Sequence, residues 1–369
     1  MKSVLAYLKQ ETVLSVAWLL AFASMLLVPP DGTYWSYIDF HTLGLLFALM
    51  AVMAGLQRLG LFRLLGERML ARTHTTRQLE GVLIFLPFFA SMAVTNDVAL
   101  ITFVPFALEV LRMAGEERRL IPVVTMQTIA ANLGSMATPI GNPQNLYLFS
   151  HYELTLGDFF SAIFPLTLGA GVLLAIFLRT ESSHPLDVPA FAATRLEGKQ
   201  RLWMYLALFL LCLGGVVKWV PVGLLTLIVL AAVLLADRPV LGKVDYSLLL
   251  TFLGFFLFVG NLGRLPLFRD FFQAVLTGHE VICSILASQV ISNVPAALLL
   301  SGFTGDGSAL LVGTNLGGLG TLIASMASLI SYKQLARQYP DLRGKYLLWF
   351  TVANLVFLAA LLVLFRVLP

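Results

Sequence analysis

The sequence is short of charge. Of its 369 residues only 12% are Asp, Glu, Lys or Arg, while 59% are hydrophobic. An ordinary soluble domain carries about 25% charged residues, so a water-soluble globule is excluded. Cysteine is nearly absent. Cys212 and Cys283 both lie in apolar stretches. That excludes a disulfide framework and metal-ligand spacing, and leaves buried packing as their expected role. The histidines His41, His74, His151, His184 and His279 are scattered without metal-site spacing. There is no Walker loop, nucleophile elbow or dinucleotide fingerprint. An enzyme is therefore not expected, and the net charge of +4 does not point to nucleic acid.

What is present is a series of long apolar runs. About 20 apolar residues cross the roughly 30 Å hydrocarbon core of a bilayer. Nine stretches fit as crossings: 12–29, 42–60, 121–150, 158–179, 202–217, 221–236, 247–263, 308–331 and 346–366. The first resembles a signal peptide at Ala21-Phe22-Ala23, but the run continues to Val28, which favours a retained span. Two further stretches, 81–111 and 281–302, are each broken by polar residues and have arms too short to cross comfortably. They read as re-entrant helical hairpins.

Lys and Arg set the orientation, being enriched on the cytoplasmic side. With a cytoplasmic N-terminus, nine crossings and two non-crossing hairpins, only Lys218, Arg264, Arg269 and Arg366 of the 24 face outward. The rest, from Lys2 and Lys9 to Arg343 and Lys345, face inward. Making only one hairpin a crossing spoils this bias. Trp35, Trp219 and Trp349 fall near span ends, as interfacial aromatics do. The expected location is a bacterial-type inner membrane, with the chain contacting lipid on many sides.

An internal repeat organises the chain. Asn132-Leu133-Gly134 and Thr138 match Asn315-Leu316-Gly317 and Thr321 at an offset of 183. Thr95-Asn96-Asp97-Val98-Ala99 matches Ser292-Asn293-Val294-Pro295-Ala296 at an offset of 197, and Leu56–Phe62 matches Leu262–Phe268 at an offset of 206. The order is the same in both halves. Five crossings separate the hairpins, so the halves are expected to be inverted. The expected organisation is an N-terminal span (1–39), a first repeat (40–179), a polar cytoplasmic linker (180–201) carrying Pro185 and Pro189, and a second repeat (202–369). Inverted repeats with broken helices place a solute site near the midplane.

The polar breaks carry the chemistry. Non-helical backbone at membrane depth is tolerated only where protein buries it or it lines a wet cavity. Thr95, Asn96 and Asp97 break the first hairpin, and Ser292 and Asn293 the second. Such residues cap helix N-termini, and Pro295 suits a first turn. The exposed N–H groups and dipole at each tip suit an anion or an oxygen-rich solute. The asparagine oxygens and tip carbonyls suit a hard cation such as sodium. The 121–150 run would measure roughly 45 Å as one helix, and Gly134, Pro139, Gly141 and Pro143 break it, with Asn132, Asn142, Gln144 and Asn145 alongside. Its counterpart, 308–331, carries Gly313, Gly317, Gly318 and Gly320 with Thr314, Asn315, Thr321, Ser325 and Ser328. Glycines allow unwound backbone and close approach, although tight helix packing also uses small residues. Asp97 is the one carboxylate deep in an apolar stretch, and intramembrane ionisable groups are costly and functional by default. It suits binding a proton or helping to hold sodium. The second tip has Val294 at the matching place.

These residues resemble the ion transporter superfamily, which includes citrate and divalent-anion/sodium symporters and arsenite and silicic-acid efflux permeases. The resemblance runs from about residue 40 onward. It rests on Thr95-Asn96-Asp97-Val98-Ala99-Leu100, on the run Ala131–Asn145, and on Ser292-Asn293. The resemblance implies an all-α polytopic membrane protein, a homodimer, with two re-entrant hairpins and two unwound helices. It implies substrate or sodium contacts at Asn96 and Asn293, and unwound-loop ligands at Gly134, Ser135, Thr138, Gly318, Gly320 and Thr321. The sodium/dicarboxylate branch carries Ser-Asn-Thr at both tips, where this chain has Asp97 and Val294.

The expected function is secondary active transport of a small anion or oxyacid, coupled to sodium or protons, by alternating access between the hairpin tips. The expected substrate contacts are Thr95, Asn96, Asp97, Thr138, Pro139, Asn142, Asn145, Ser292, Asn293, Asn315 and Thr321. The expected sodium ligands are Asn96, Asp97, Gly134, Ser135, Asn293 and Gly318. The alternatives are a sodium/proton antiporter using Asp97, an arsenite or silicic-acid efflux permease, and a membrane-embedded enzyme or non-transporting assembly subunit.

Overall fold

Apolar sequence with helix caps at each polar break gives an all-helical chain. The computed structural model describes residues 11–186 and 198–367. Lys2, Lys9, Pro189 and Arg195, which entered the orientation and linker readings, lie outside the described residues. In chain order the helices are α1 (Thr12–Leu27), α2 (Phe40–Arg58), α3 (Leu61–Leu70), α4 (Thr76–Ala93), α5 (Asn96–Met113) and α6 (Leu120–Ser135). Then follow α7 (Pro143–His151), α8 (Leu156–Thr180), α9 (Lys199–Val216), α10 (Val222–Ala236), α11 (Tyr246–Gly263) and α12 (Pro266–Leu276). The series ends with α13 (Glu280–Ile291), α14 (Asn293–Ser301), α15 (Gly307–Leu316), α16 (Met326–Gln338) and α17 (Arg343–Val367). Short helical turns such as Tyr34–Tyr37 are left unnumbered. Among the described residues there is no strand, only an isolated bridge between Thr75 and Pro185.

Several helices are apolar enough for a polytopic membrane protein. Phe40–Arg58, Leu156–Thr180, Tyr246–Gly263 and the stretch Pro340–Val367 each have the length and hydropathy of a complete span. α1 and α10 are apolar but shorter, at 16 and 15 residues. The long runs 121–150 and 308–331 are each two helices around an irregular segment, α6 with α7 and α15 with α16.

The arms of the first hairpin differ from expectation. α4 and α5 have 18 residues each, about 27 Å of helix, rather than arms too short to cross. Polar residues extend both ends: Thr75 caps α4 six residues before the apolar stretch begins at 81, and Arg112 lies in the last turn of α5. In the second hairpin α13 and α14 are short, at 12 and 9 residues. The sequence reading also passed over α3 and α12. Both are amphipathic, with Leu65 and Met69 exposed on α3 and Leu267 and Phe271 exposed on α12.

Two groups of helices emerge from the packing. α1 lies along α11, and α2 packs on α9 and α10. α6 sits between α4, α5, α8 and α17, while α15 packs on α13 and α14. α6 is enclosed almost all round, with even Thr125, Gln127, Thr128 and Asn132 buried. Pro87 inside α4 has no N–H to donate to the carbonyl four residues earlier, that of Leu83. The Gln127 side chain donates to that carbonyl at 2.8 Å.

Candidate functional site

The polar breaks meet. Thr95 stands before α5 in extended conformation and caps it by accepting from the Val98 N–H. This leaves the Asn96 N–H free to leave the helix, and it donates to the Gly141 carbonyl at 3.1 Å. At the second tip the Asn293 N–H donates to the Ala324 carbonyl at 3.0 Å. Gly141 and Ala324 are themselves 183 positions apart, the offset of the sequence repeat. Each tip is thus tied to the unwound segment of its own half by the same bond.

Further bonds recur in step. Asn96 Oδ1 accepts from the Asp97 N–H, and Asn293 Oδ1 from the Val294 N–H, both at 3.0 Å. The Thr138 hydroxyl donates to the Met92 carbonyl at 2.5 Å and the Thr321 hydroxyl to the Gln289 carbonyl at 3.4 Å. The Gly141 N–H donates to the Thr138 carbonyl and the Ala324 N–H to the Thr321 carbonyl, each at 3.2 Å. Gly134 lies against Ser91 and Gly317 against Ser288, so that an added Cβ would meet those hydroxyls at 2.7 and 2.6 Å.

Asparagines join the halves. Asn96 Nδ2 donates to Asn132 Oδ1 at 3.0 Å, and Ser325 Oγ donates to the same oxygen at 3.2 Å. Asn132 Nδ2 reaches the Gly318 carbonyl at 3.5 Å. In the mirrored arrangement Asn142 Nδ2 donates to Asn315 Oδ1 at 3.1 Å, and Asn315 Nδ2 to Asn145 Oδ1 at 2.6 Å. Asn142 Nδ2 also reaches Ser135 Oγ at 3.2 Å. All these asparagines are buried. A buried amide left unpaired costs about 1–3 kcal/mol, so the network fixes one arrangement of tips and loops.

The expected residues are not equally central. Asn96, Asn132, Asn142, Asn145, Asn315 and Ser135 form one connected network. Ser292 and Asn293 are buried beside it, and Asn293 Nδ2 would be 3.0 Å from a Cβ on Gly318. Pro139 is buried in the turn between α6 and α7, and Thr321 is exposed at the edge of its loop. Gln289 was missed by sequence reasoning. It grips the second loop through the Gly317 and Leu319 carbonyls and the Thr321 N–H. Its signal was a lone amide in the apolar arm, three residues before the tip.

A cavity of about 140 Å³ lies against the first tip. Thr95, Asp97, Gln57 and Asn142 give it polar walls, the apolar face of α2 closes one side, and Lys243 and Asp245 mark one end. Asp97 Oδ1 is buried and has no hydrogen-bond partner among the described residues. Among the described residues no group of three His, Cys, Asp or Glu could hold a metal ion. A second, wider cleft of about 640 Å³ lies at the other end of α7. There Lys218 Nζ pairs with Glu153 at 2.9 Å and His41 Nδ1 sits 3.0 Å from Ser150 Oγ.

A charged knot lies away from the network. Arg119 donates to Glu80 at 2.5 Å and to Glu116 at 3.1 Å, and His184 Nε2 is 2.7 Å from Glu116. Burial pushes the Glu116 carboxyl up, but hydrogen bonds from His184, Arg119 and Arg118 outweigh it and hold the group below its ordinary value. The knot ties the start of α4 and the α5–α6 loop to the segment after α8.

Comparison with known proteins agrees with this architecture. The profile of the citrate transporter family matches residues 6–304. Inner membrane protein YbiR of Escherichia coli is 32% identical over 305 residues, 80% of each chain. The uncharacterized transporter MJ0456 of Methanocaldococcus jannaschii is 33% identical over 259 residues, 68% of this chain and 69% of its own. The silicon efflux transporter LSI3 of rice is 36% identical over 154 residues, 41% of this chain and 31% of its own. The chain is thus a multi-pass membrane protein that belongs to the citrate transporter family, within the ion transporter superfamily that its motifs resemble.

Proposed function

We propose that this chain is a secondary active transporter that moves a small anion or oxyacid by alternating access, with the proton on Asp97 as the coupling ion. The observation that carries the reading is the meeting of two hairpin tips and two unwound loops in one asparagine network, beside a small cavity into which Asp97 presents a carboxylate oxygen unpartnered among the described residues. Recurrence of the same bonds in both halves supports an inverted-repeat architecture, with α4–α8 and α13–α17 as the moving body and α1, α2 and α9–α11 as the scaffold. In the orientation set by the Lys and Arg bias, Lys243 and Asp245 are cytoplasmic. The cavity then opens inward, and the cleft that holds the Glu153–Lys218 pair lies on the outer side.

The substrate reading follows from the walls. Two helix N-termini and several amides recognise oxygen-rich solutes. The cavity is smaller than the roughly 300–1,000 Å³ of sites for drug-sized ligands. Of the residues that line it, only Lys243 is cationic, so the solute is small and weakly charged. The silicon of LSI3 and arsenite are therefore the substrates to try first, and the family's citrate, with three carboxyl groups, comes third.

The test is proteoliposome flux with an entrapped pH dye. Adding the right solute should move protons with it in the wild type. Asp97→Asn should lose the proton movement and retain exchange of solute for solute. Solute flux that ignores an imposed pH gradient in the wild type would sink proton coupling. Asp97 beside Asn96 also favours a second reading, sodium/proton antiport, whose mark would be proton movement on adding sodium without any solute.

A further inference from the structure

The two unwound loops differ in where they obtain one donor. In the first loop Asn145 Nδ2 lies within 3.4 Å of the Ser135 carbonyl, 3.2 Å of Met136 and 3.1 Å of Thr138. In the second loop Gln289 Nε2 lies 3.0 Å from the Gly317 carbonyl and 2.9 Å from Leu319. Met136 and Leu319 are equivalent positions at the 183 offset. The donors are not equivalent. Asn145 comes from the third residue of α7, downstream of its loop, whereas Gln289 comes from α13, upstream. At the place of Asn145 the second half has Ser328, and at the place of Gln289 the first half has Met92. The position of the amide differs between the halves, while one equivalent carbonyl contact, at Met136 and at Leu319, is kept.

Clustered carbonyl oxygens pointing at one spot repel one another and need a positive partner there. A desolvated cation supplies one, and so does a carboxamide NH2, with two N–H donors. The two compete for the same volume. Around Gln289 the fit is close: Gly320 has φ 114°, and a Cβ there would lie 2.3 Å from Gln289 Oε1, which accepts from the Thr321 N–H at 2.9 Å.

We propose that Asn145 and Gln289 are resident cation surrogates, each filling the carbonyl ring of one unwound loop with its own amide, so that neither ring is a sodium site. The inference rests on reading these loops as part of the transport site, and it removes Ser135 and the second loop from the sodium ligands.

The test reads stability, so it is independent of whether transport is reconstituted. The purified full chain is melted in sodium chloride and in choline chloride at equal strength. The wild type should show no sodium-specific shift. Gln289→Met, which copies the first half, should melt several degrees lower. Adding Ser328→Asn to it should recover at least half of that loss, because the amide returns from the side Asn145 uses. Gln289→Glu puts acceptor oxygens among the carbonyls and should melt low in choline and rise in sodium, which keeps the proposal falsifiable if Gln289→Met fails to fold. Sodium-specific stabilisation of the wild type that survives Asp97→Asn would overturn it. So would an unrescued double variant together with a Gln289→Glu protein indifferent to sodium. Failure of the transport reading would show separately, as absent solute flux.

Discussion

The two hairpin tips perform one structural task with different chemistry. Thr95 reaches the first tip at φ −68° and caps α5. Ser292 reaches the second at φ 72°, ψ 155° and does not cap α14. After Asn96 comes Asp97, facing a cavity; after Asn293 come Val294 and Pro295, both buried. Yet both asparagines bind the carbonyl of their own loop in the same way. What recurs is the frame that holds tips to loops. What does not recur is the ionisable group, so the shared frame serves positioning, and the proposed function assigns coupling to the part that differs.

The largest expected effects come from attacking that frame unequally. Gly134→Ala would set a Cβ 2.0 Å from the Phe88 carbonyl oxygen, a backbone atom that cannot swing away. Gly317→Ala meets Ser288 Oγ at 2.6 Å, a hydroxyl that can rotate, and the Gly313 carbonyl oxygen and Ser288 Cβ at 2.8 Å, a milder backbone clash than the 2.0 Å at Gly134. The first substitution should abolish a monodisperse peak on size-exclusion chromatography. The second should fold with a loss of about 1–3 kcal/mol, the range for overpacking. Equal outcomes would mean that the two helix crossings are equally tight and that this difference in clash does not distinguish the halves.

Next in size is the charged knot around Arg119. Arg119→Ala leaves Glu80 and Glu116 without their main cation, and breaking a buried pair costs about 3–5 kcal/mol. On the other half Arg264 meets Asp31 at 2.7 Å, but both are exposed, so Arg264→Ala should hardly move the melting temperature. The knot also has a pH signature. Since the folded value of Glu116 is lowered, its stabilisation is complete above the ordinary carboxylate range. It is lost as pH falls below the ordinary carboxylate range and through that lowered value. Melting curves from pH 7 to 3 should therefore fall more steeply for the wild type than for Glu116→Gln.

Much of this was legible in the sequence, for a physical reason. A bilayer forces helices to about its own thickness and confines polar backbone to buried breaks, so apolar run length and interruption encode topology directly. The run 121–150 therefore announced its own unwinding through Gly134, Pro139 and Pro143. The asparagine network was half legible: the residues stood out as amides in apolar surroundings, while their pairing across the halves needed three-dimensional proximity. Gln289 was missed because the repeat places Met92 opposite it, although as a lone amide in an apolar arm it carried a signal of its own. α3 and α12 were passed over because a helix lying with one apolar face needs alternation of 3.6 residues rather than a long apolar run.

The smallest predicted effect separates the tips most directly. A non-glycine residue in the left-handed half of backbone space costs of order 1–3 kcal/mol. Ser292 holds φ 72°, and its hydroxyl makes only long bonds, 3.3 Å to Asn293 Oδ1 and 3.5 Å to the Ala324 carbonyl. Ser292→Gly should therefore keep the fold and raise the melting temperature by relieving that strain. At Thr95 the backbone is relaxed and the side chain serves as the cap, so Thr95→Gly removes a favourable contact and adds chain entropy to the unfolded state. It should lower the melting temperature. Opposite signs at equivalent positions would establish that the second tip stores strain while the first does not. A destabilised Ser292→Gly would instead show that the serine hydroxyl outweighs its backbone, and the two tips would then be held by the same means.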